Sequence, residues 1–427
     1  MKKLLIYLEI NGIQVYIGDI IYNNQQDAGF AYANEYLMSK SASPISISLP
    51  LQEERFSTQR TRNFFEGLLP EGFTRRTVAQ WMHVSEDDYL SILIGLGNEC
   101  LGAVRVLEEN GIRVPAKYEE LNEEQIAKLA KEGATKSAEM VTKSHLSLTG
   151  ASGKVGLYYD AHKEQWFLPY GEAPSTHIVK QSHVRMNSIV TNEQLCLLTA
   201  KQLGIEIPDS FIINTGDAKE EEVLFATKRY DRLIMDNGHM LDGLRVPCRL
   251  HQEDFAQAMG RTSYDKYEKM DQGYLKEMFD ILLFHATNPV KEQLKLWNIM
   301  VYDYLVGNTD NHIKNLSLLY SMDLTGIELA PAYDIISTTV YETSTRDMGI
   351  AIGGKIAIDE INAKSFACEA QKVGLNVKMA MRVFDKLTQE FEIALRETAR
   401  QLEQQGFPAS KELCEKILQS GGFAKLL

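Results

Sequence analysis

The residues best suited to chemistry lie in one stretch, Leu305-Val306-Gly307-Asn308-Thr309-Asp310-Asn311-His312-Ile313-Lys314-Asn315, with Asp334 following in Pro331-Ala332-Tyr333-Asp334. An Asp followed five positions later by Asn, and by a second Asp beyond a hairpin, is a layout for phosphoryl transfer. Asp310 can accept the proton of an attacking hydroxyl, while Asn315 and Asp334 can hold Mg²⁺ against nucleotide phosphates. Such a reaction needs hard oxygen ligands on a cation that keeps some of its water, and a base in line with the γ-phosphate. A bare Asp-x-x-x-x-Asn is also what a polar turn between a helix and a strand looks like. The fuller string, Gly-Asn-Thr-Asp-x-His-x-x-Asn with a later Tyr-Asp, is far more specific. His312 could contact a phosphate, orient the loop or make a structural hydrogen bond. Lys314 could steady the transferred group or be solvated. Ser337, Thr338 and Thr339 sit where an activation segment would begin, but hydroxyl-rich loops are common and they are assigned nothing.

A phosphate clamp must accompany such a base. Ser144 to Leu157 contains Gly150-x-x-Gly153-Lys154 between two β-capable runs, a tight turn whose backbone N–H groups could face phosphate. It is not a Walker A loop, because Leu148 stands where the first Gly belongs and Val155 follows the lysine in place of Ser or Thr. By itself it reads as a Gly-containing hairpin. Further on, Ser175-Thr176-His177-Ile178-Val179-Lys180 is a strand ending in the position where a kinase keeps its phosphate-neutralising lysine. Glu193, near the start of a helical pattern over Asn192–Ala200, could pair with Lys180 or complement the helix N-terminus. Leu224 to Arg232 is a strand running into a charged segment. That is the place for a hinge, where backbone groups of Lys228 and Tyr230 would read adenine.

The positioning elements come next. Residues 4–21 read as a β-hairpin around Asn11-Gly12. Phe30–Tyr36 suggests a further strand. Helices are expected from near Thr61 to Pro70-Glu71-Gly72, from about Phe73, and over Asp87–Leu96, with a strand at Ala103–Leu107. This first part carries no catalytic constellation and reads as a structural or docking unit ending near Glu108. Tyr118 to Glu132 reads as a charged linker helix. From residue 233 onward the pattern is mostly helical. Tyr274–His285 and Gln293–Leu305 are apolar-periodic, the second leading into the Asp310 loop. Leu316–Tyr320 and Ile327–Ala330 fit a hairpin that delivers Asp334, and Ala380 to Leu395 follow a helical period.

Composition limits the alternatives. The chain has 427 residues, 44% of them hydrophobic and 24% charged, enough for two or three domains with a sizeable core. A net charge of −13 makes it a poor general nucleic-acid binder by itself. Five scattered cysteines form no Cys-x-x-Cys pair, so no zinc site or disulfide framework is expected, and a reducing cytoplasm fits. The short apolar run after Met1-Lys2-Lys3 is broken by Glu9, against a signal peptide, and Tyr89–Leu96 is too short to span a bilayer.

The sequence resembles the HipA family of serine/threonine kinase toxins over nearly its whole length. The resemblance rests on the Asp310–Asn315 string with Asp334, on Asn63–Gly72 and Gly97–Ala103, on Ser147–Lys154, Thr176–Lys180 and Lys228–Arg232, and on Arg249–Gly260. It implies an α+β, two-lobed protein-kinase-like fold with an N-terminal β-rich subdomain and a mostly helical C-terminal lobe. The domains would be 1–108, a nucleotide-binding lobe at 109–232 and a catalytic lobe at 233–427. It implies ATP and Mg²⁺, with Asp310 as base and Asn315 and Asp334 as metal ligands. Thr149, Gly150, Ala151, Ser152, Gly153, Lys154, Lys180, Lys228, Tyr230 and His312 would bind the nucleotide. The family's loop usually reads Gly-Ala-Gln, an acidic residue and Lys, and Ser152-Gly153 here make it less negative and more flexible. Family members halt growth, the best-known target being glutamyl-tRNA synthetase. They are neutralised by a DNA-binding antitoxin, HipB, in an operator-bound complex, which would leave most DNA contact to the partner. Some phosphorylate their own phosphate loop, here Ser147 by residue match with Ser152 a second hydroxyl in the same loop, where a new dianion would displace the loop. A small-molecule or lipid kinase and a non-catalytic ATP-binding corepressor are the alternatives. No membrane association is expected.

Overall fold

The computed structural model describes residues 1–111, 114–144, 153–182, 186–270 and 272–426. The chain divides into two compact units. One comprises Met1–Gln181, Ala226–Ser263 and Leu319–Gly326, the other Ser182–Phe225, Tyr264–Leu318 and Ile327–Leu427. Among the described residues no helix is long and apolar enough to cross a membrane.

The first unit begins with the expected hairpin. Lys2–Ile10 and Ile13–Tyr22 pair antiparallel, with Ile10 opposite Ile13. Asn11 (φ 52°) and Gly12 (φ 76°) both adopt the left-handed conformation a two-residue turn requires. The sheet runs in the order Gly29–Tyr32, Ile13–Tyr22, Lys2–Ile10, Val104–Glu108. Its helices are Thr58–Glu66, Gly72–Trp81 and Tyr89–Leu96. Ser57 caps the first by accepting from the Arg60 N–H, and Asp88 caps the third through Ser91. Leu68 and Leu69 are buried beyond the end of the first helix, not within it.

Two expectations fail in this unit for the same reason. The strand expected over Phe30–Tyr36 stops at Tyr32, and Asn34–Leu37 is helical. The Tyr32 hydroxyl donates to the Leu49 carbonyl at 2.6 Å and accepts from the Ile45 N–H at 2.9 Å, while Tyr36 bonds the Ser43 carbonyl at 2.8 Å. The helix expected from Tyr118 starts only at Glu123, because Lys117–Leu121 is a strand paired with Gln165–Tyr170. The Tyr118 hydroxyl reaches the Pro174 carbonyl at 2.9 Å and its ring lies 4.8 Å from that of Tyr158. Tertiary partners override the local helix preference of the glutamates. The second sheet then runs Lys117–Leu121, Gln165–Tyr170, Lys154–Asp160, His177–Gln181, with the end of Val223–Lys228 following.

A buried ionic cluster ties these pieces together. Glu99 accepts from Arg232 (2.8 Å), Arg249 (2.9 Å) and Arg229 (3.3 Å). Asp231 pairs with Arg229 at 2.8 Å and takes the Gly102 N–H at 2.8 Å, and Glu9 pairs with Arg249 at 3.2 Å. Burial alone would push the Glu99 carboxyl up, but Arg232, Arg249 and Arg229 together hold it below the usual carboxylate range. Three carboxylates face three guanidiniums, so the cluster is neutral as a set and unbalanced if one member goes.

The second unit is built from Ile189–Gln202, Tyr274–His285, Pro289–Val306, Ala363–Lys372, Val377–Gln404 and Ala409–Ser420. Asn288 and Pro289 start the third of these as cap and first-turn residue. Trp297, Tyr302 and Tyr304 are fully buried along it, with their polar tips bonded to the carbonyls of Ala380 (3.1 Å), Cys196 (2.6 Å) and Ile361 (2.8 Å). The Ser317 carbonyl accepts the Ala330 N–H at 2.9 Å, joining the two arms of the expected hairpin. The pair Asp347–Ile352 and Lys355–Ala357 was not anticipated.

Removing one member of a buried charge set leaves its partners uncompensated. Glu99→Gln is therefore expected to destabilise the protein by about 3–5 kcal/mol in urea unfolding. An unchanged unfolding midpoint would show that the cluster relaxes around the loss.

Candidate active site

The Asp310 loop begins where Pro289–Val306 ends. Gly307 closes that helix at φ 76°, and a Cβ there would lie 2.1 Å from the Thr339 hydroxyl, so the position has room for glycine alone. The next turns are templated by Asp303, 1% exposed on the last turn of the same helix. Its backbone carbonyl accepts the Asn308 N–H at 2.8 Å, its Oδ1 accepts the Asn308 amide at 2.9 Å, and its Oδ2 accepts the Asn311 amide. Burial pushes the Asp303 carboxyl up to about 8, against the opposing pull of the Asn308 hydrogen bond. Asn308 passes the constraint on, since its Oδ1 accepts the Asp310 N–H at 3.2 Å.

The result is a loop with one outward-facing acid. Asp310 is exposed while Asn311, His312, Ile313 and Lys314 are buried. The Asp310 carbonyl accepts from the His312 N–H (2.9 Å) and the Asn315 amide (3.0 Å), and Asn315 N–H donates to His312 O at 2.8 Å. The Tyr267 hydroxyl donates to Asp310 Oδ1, and its ring meets the His312 ring edge-on at 4.9 Å. Asp310, His312 and Asn315 are thus gathered into one hydrogen-bonded turn.

Asp334 lies on a segment fastened to that turn. The Tyr333 hydroxyl donates to the Lys314 carbonyl at 3.0 Å and lies 2.7 Å from Ser317 Oγ. Thr338 Oγ1 donates to the Gly307 carbonyl at 3.0 Å and accepts the Thr309 N–H at 2.8 Å. Asn192 clamps Ser337 from both sides, at 2.9 and 3.0 Å. The hydroxyl run after Asp334 therefore has a definite job in holding the loop. Asp334 itself has φ 57°, a left-handed backbone that aspartate tolerates better than most residues and that recurs at functional sites. The donor set suits Mg²⁺. With its amide nitrogen committed to the Asp310 carbonyl, Asn315 offers an amide oxygen, and Asp334 offers a carboxylate, both hard donors for a cation that keeps water.

The remaining expected residues belong to the other unit. Lys154 and Lys180 stand directly opposite each other on the antiparallel strands Lys154–Asp160 and His177–Gln181. Lys228 is exposed at the end of Val223–Lys228, the Arg229 N–H donates to Thr176 O at 2.8 Å, and the Tyr230 hydroxyl donates to Gln252 Oε1. Gly153 is described and buried, whereas Ser147, Thr149, Gly150, Ala151 and Ser152 lie outside the described residues. Sequence reasoning missed Asp303 and Tyr267. The first had a signal, as the lone acid in the apolar run Ile299–Val306; the second had none, because Tyr267 meets Asp310 only in the fold.

Comparison with known proteins covers both ends of the chain. A family model described as the HipA-like C-terminal domain matches residues 146–395, and one described as the HipA N-terminal domain matches residues 8–107. The Sinorhizobium fredii protein Y4mE, provisionally described as a kinase, is 30% identical over 375 residues, 86% of this chain and 85% of that protein. The Shewanella oneidensis serine/threonine-protein kinase toxin HipA is 25% identical over 380 residues, 86% of this chain and 83% of that one. The solved complex of Shewanella oneidensis MR-1 HipA with HipB and operator DNA superposes at a TM-score of 0.78 and 20% identity, over 98% of this chain and 97% of that one. The chain accordingly has the α+β, kinase-like HipA fold, sheet-rich towards its N-terminus and helical towards its C-terminus.

Two outcomes follow from the loop's construction. Asp334→Gly and Asp334→Ala both delete the carboxylate, but only glycine takes a left-handed backbone without strain, so the glycine variant should be the more stable of the two by about 1 kcal/mol. Equal melting temperatures would show that the left-handed backbone at this position relaxes without strain. Asp303 binds its proton more tightly when folded than when unfolded, so its contribution to stability falls as pH rises from about 4 towards about 8. Asp303→Asn does not titrate. The stability gap between parent and this variant should therefore narrow from pH 5 to pH 8, by up to about 1.4 kcal/mol per pH unit. A gap independent of pH in urea titrations would contradict the assignment.

Proposed function

Because the chain belongs to the HipA family of kinase toxins, we propose that it is a Mg²⁺- and ATP-dependent serine/threonine protein kinase, the toxin of a HipA/HipB-type module. The observation that carries this reading is the single exposed carboxylate, Asp310, on a loop whose other side chains and backbone are tied down. A base held that way is ready for an acceptor hydroxyl. The hydroxyl oxygen attacks the γ-phosphorus, the bond to the β-bridging oxygen breaks, ADP leaves, and Asp310 takes the proton. Asn315 and Asp334 would hold Mg²⁺, which when bound neutralises phosphate charge. Lys180, with Lys154 across the strand pair and the loop from Thr149 to Gly153, is the proposed phosphate clamp. Lys228 to Tyr230 is the proposed adenine hinge, and His312 serves to orient the loop.

The family reading extends to partners. The Shewanella HipA structure contains HipB and operator DNA. For this chain we propose a HipB-like antitoxin that makes most of the DNA contact, in keeping with a net charge of −13. The proposed target is a cytoplasmic protein, with aminoacyl-tRNA synthetases the first to test, and Ser147 is the proposed site of self-phosphorylation.

The deciding experiment is intact mass after incubation with Mg²⁺–ATP, run beside Asp310→Asn. The parent should gain one phosphate, mapped to Ser147, and the variant should be slower by about 10²–10⁴-fold. Expression of the variant should no longer arrest growth. If Asp310→Asn arrests growth as the parent does, the kinase-toxin reading fails.

A further inference from the structure

The segment before the helix Tyr274–His285 carries no motif, yet it delivers a phenol to the proposed base. Tyr267 is 40% exposed, and its hydroxyl donates to Asp310 Oδ1. Its ring packs edge-on against His312, 4.9 Å between centroids with planes at 78°.

The residues on either side of Tyr267 are fixed. Lys266 O accepts the Ile313 N–H at 3.4 Å, which joins the segment to the far side of the Asp310 turn. Glu268 is buried and its N–H donates to Gly349 O at 2.9 Å. Its carboxylate accepts the Gly273 N–H at 2.7 Å through one oxygen and the Ala351 N–H at 2.8 Å through the other. Gly349 sits so close to the loop that a Cβ would lie 2.5 Å from the Asn311 carbonyl. The backbone of Tyr267 is thus held between anchored neighbours, which presents its side chain to the Asp310 turn.

An exposed aspartate has a broad, two-fold torsion about its terminal bond, so either oxygen can face outward. A base in a phosphoryl-transfer site needs one oxygen aimed at the acceptor hydroxyl, and small errors of aim cost rate steeply. A phenol stays protonated at neutral pH and can donate throughout turnover. We infer that Tyr267 is a positioning residue for Asp310: its hydroxyl holds Oδ1 and so turns Oδ2 towards the acceptor. This rests on Asp310 being the base, as proposed above.

The test is Tyr267→Phe in the full chain, which keeps the ring against His312 and removes only the hydroxyl. Transfer of labelled phosphate from Mg²⁺–ATP to myelin basic protein is measured for the parent, Tyr267→Phe, Asp310→Asn and the double variant. The expected result is a fall in kcat of about tenfold for Tyr267→Phe, with KM for ATP and melting temperature unchanged. In the Asp310→Asn background the same change should have no further effect, since its influence runs through that carboxylate. An unchanged kcat overturns the inference. So does a raised kcat, which would make Tyr267 an occluder of the acceptor position. A parent no faster than Asp310→Asn brings down the base assignment and the inference together. A parent faster than Asp310→Asn but equal to Tyr267→Phe sinks the inference alone.

Discussion

Asp303 and the two amides it receives are the fixed point of the second unit. A loop that must expose one acid while burying the residues around it has backbone and amide groups cut off from water, and each needs a partner. Asp303 supplies acceptors for Asn308 and Asn311 from one buried carboxylate, and its own carbonyl takes the Asn308 N–H. Asn308 then directs Asp310. The order of dependence is therefore helix, buried acid, amide, exposed acid. Gly307 makes it possible by letting the chain reverse against Thr339.

The first unit applies the same principle with charges instead of amides. Val223–Lys228 ends at a place where successive side chains must part, with Lys228 outward and Arg229 inward. Arg229 is paired with Asp231 and Glu99, and its N–H is bonded to Thr176. That fixes the backbone of the proposed hinge without using Lys228 or Tyr230. Glu99 comes from the part of the chain that carried no catalytic signal, and Glu9 from its first strand. The N-terminal part of the chain thus contributes to the frame of the lysine strands, within one compact unit.

Where the sequence was legible, the signal was local. Asn11-Gly12 specified its own turn, and Tyr274–His285 its own helix, because turn chemistry and apolar period need no distant partner. Tyr118–Leu121 was misread because its glutamates favour a helix while its pairing partner, Gln165–Tyr170, lies far along the chain. Asp347–Ile352 and Lys355–Ala357 had a signal in Gly353-Gly354, both at positive φ, that went unused. The site shows the same division. The spacing of Asp310, Asn315 and Asp334 could be read directly, but the contact of Tyr267 with Asp310, 43 residues away, could not.

Two aspartates seven positions apart, Asp303 and Asp310, show why burial has to be added to motif. Both are carboxylates on one chain segment, and by residue type either could serve as a base. Asp303 is sealed from any acceptor, its oxygens are taken by Asn308 and Asn311, and burial favours its protonated form. Asp310 is exposed and accepts from the Tyr267 hydroxyl. Environment thus divides one chemistry into two roles, scaffold and proposed base, as it does where paired carboxylates split acid and base work. The inward acid helps the outward one to hold a direction, because it supplies the acceptors for the Asn308 and Asn311 amides, and Asn308 in turn accepts the Asp310 N–H.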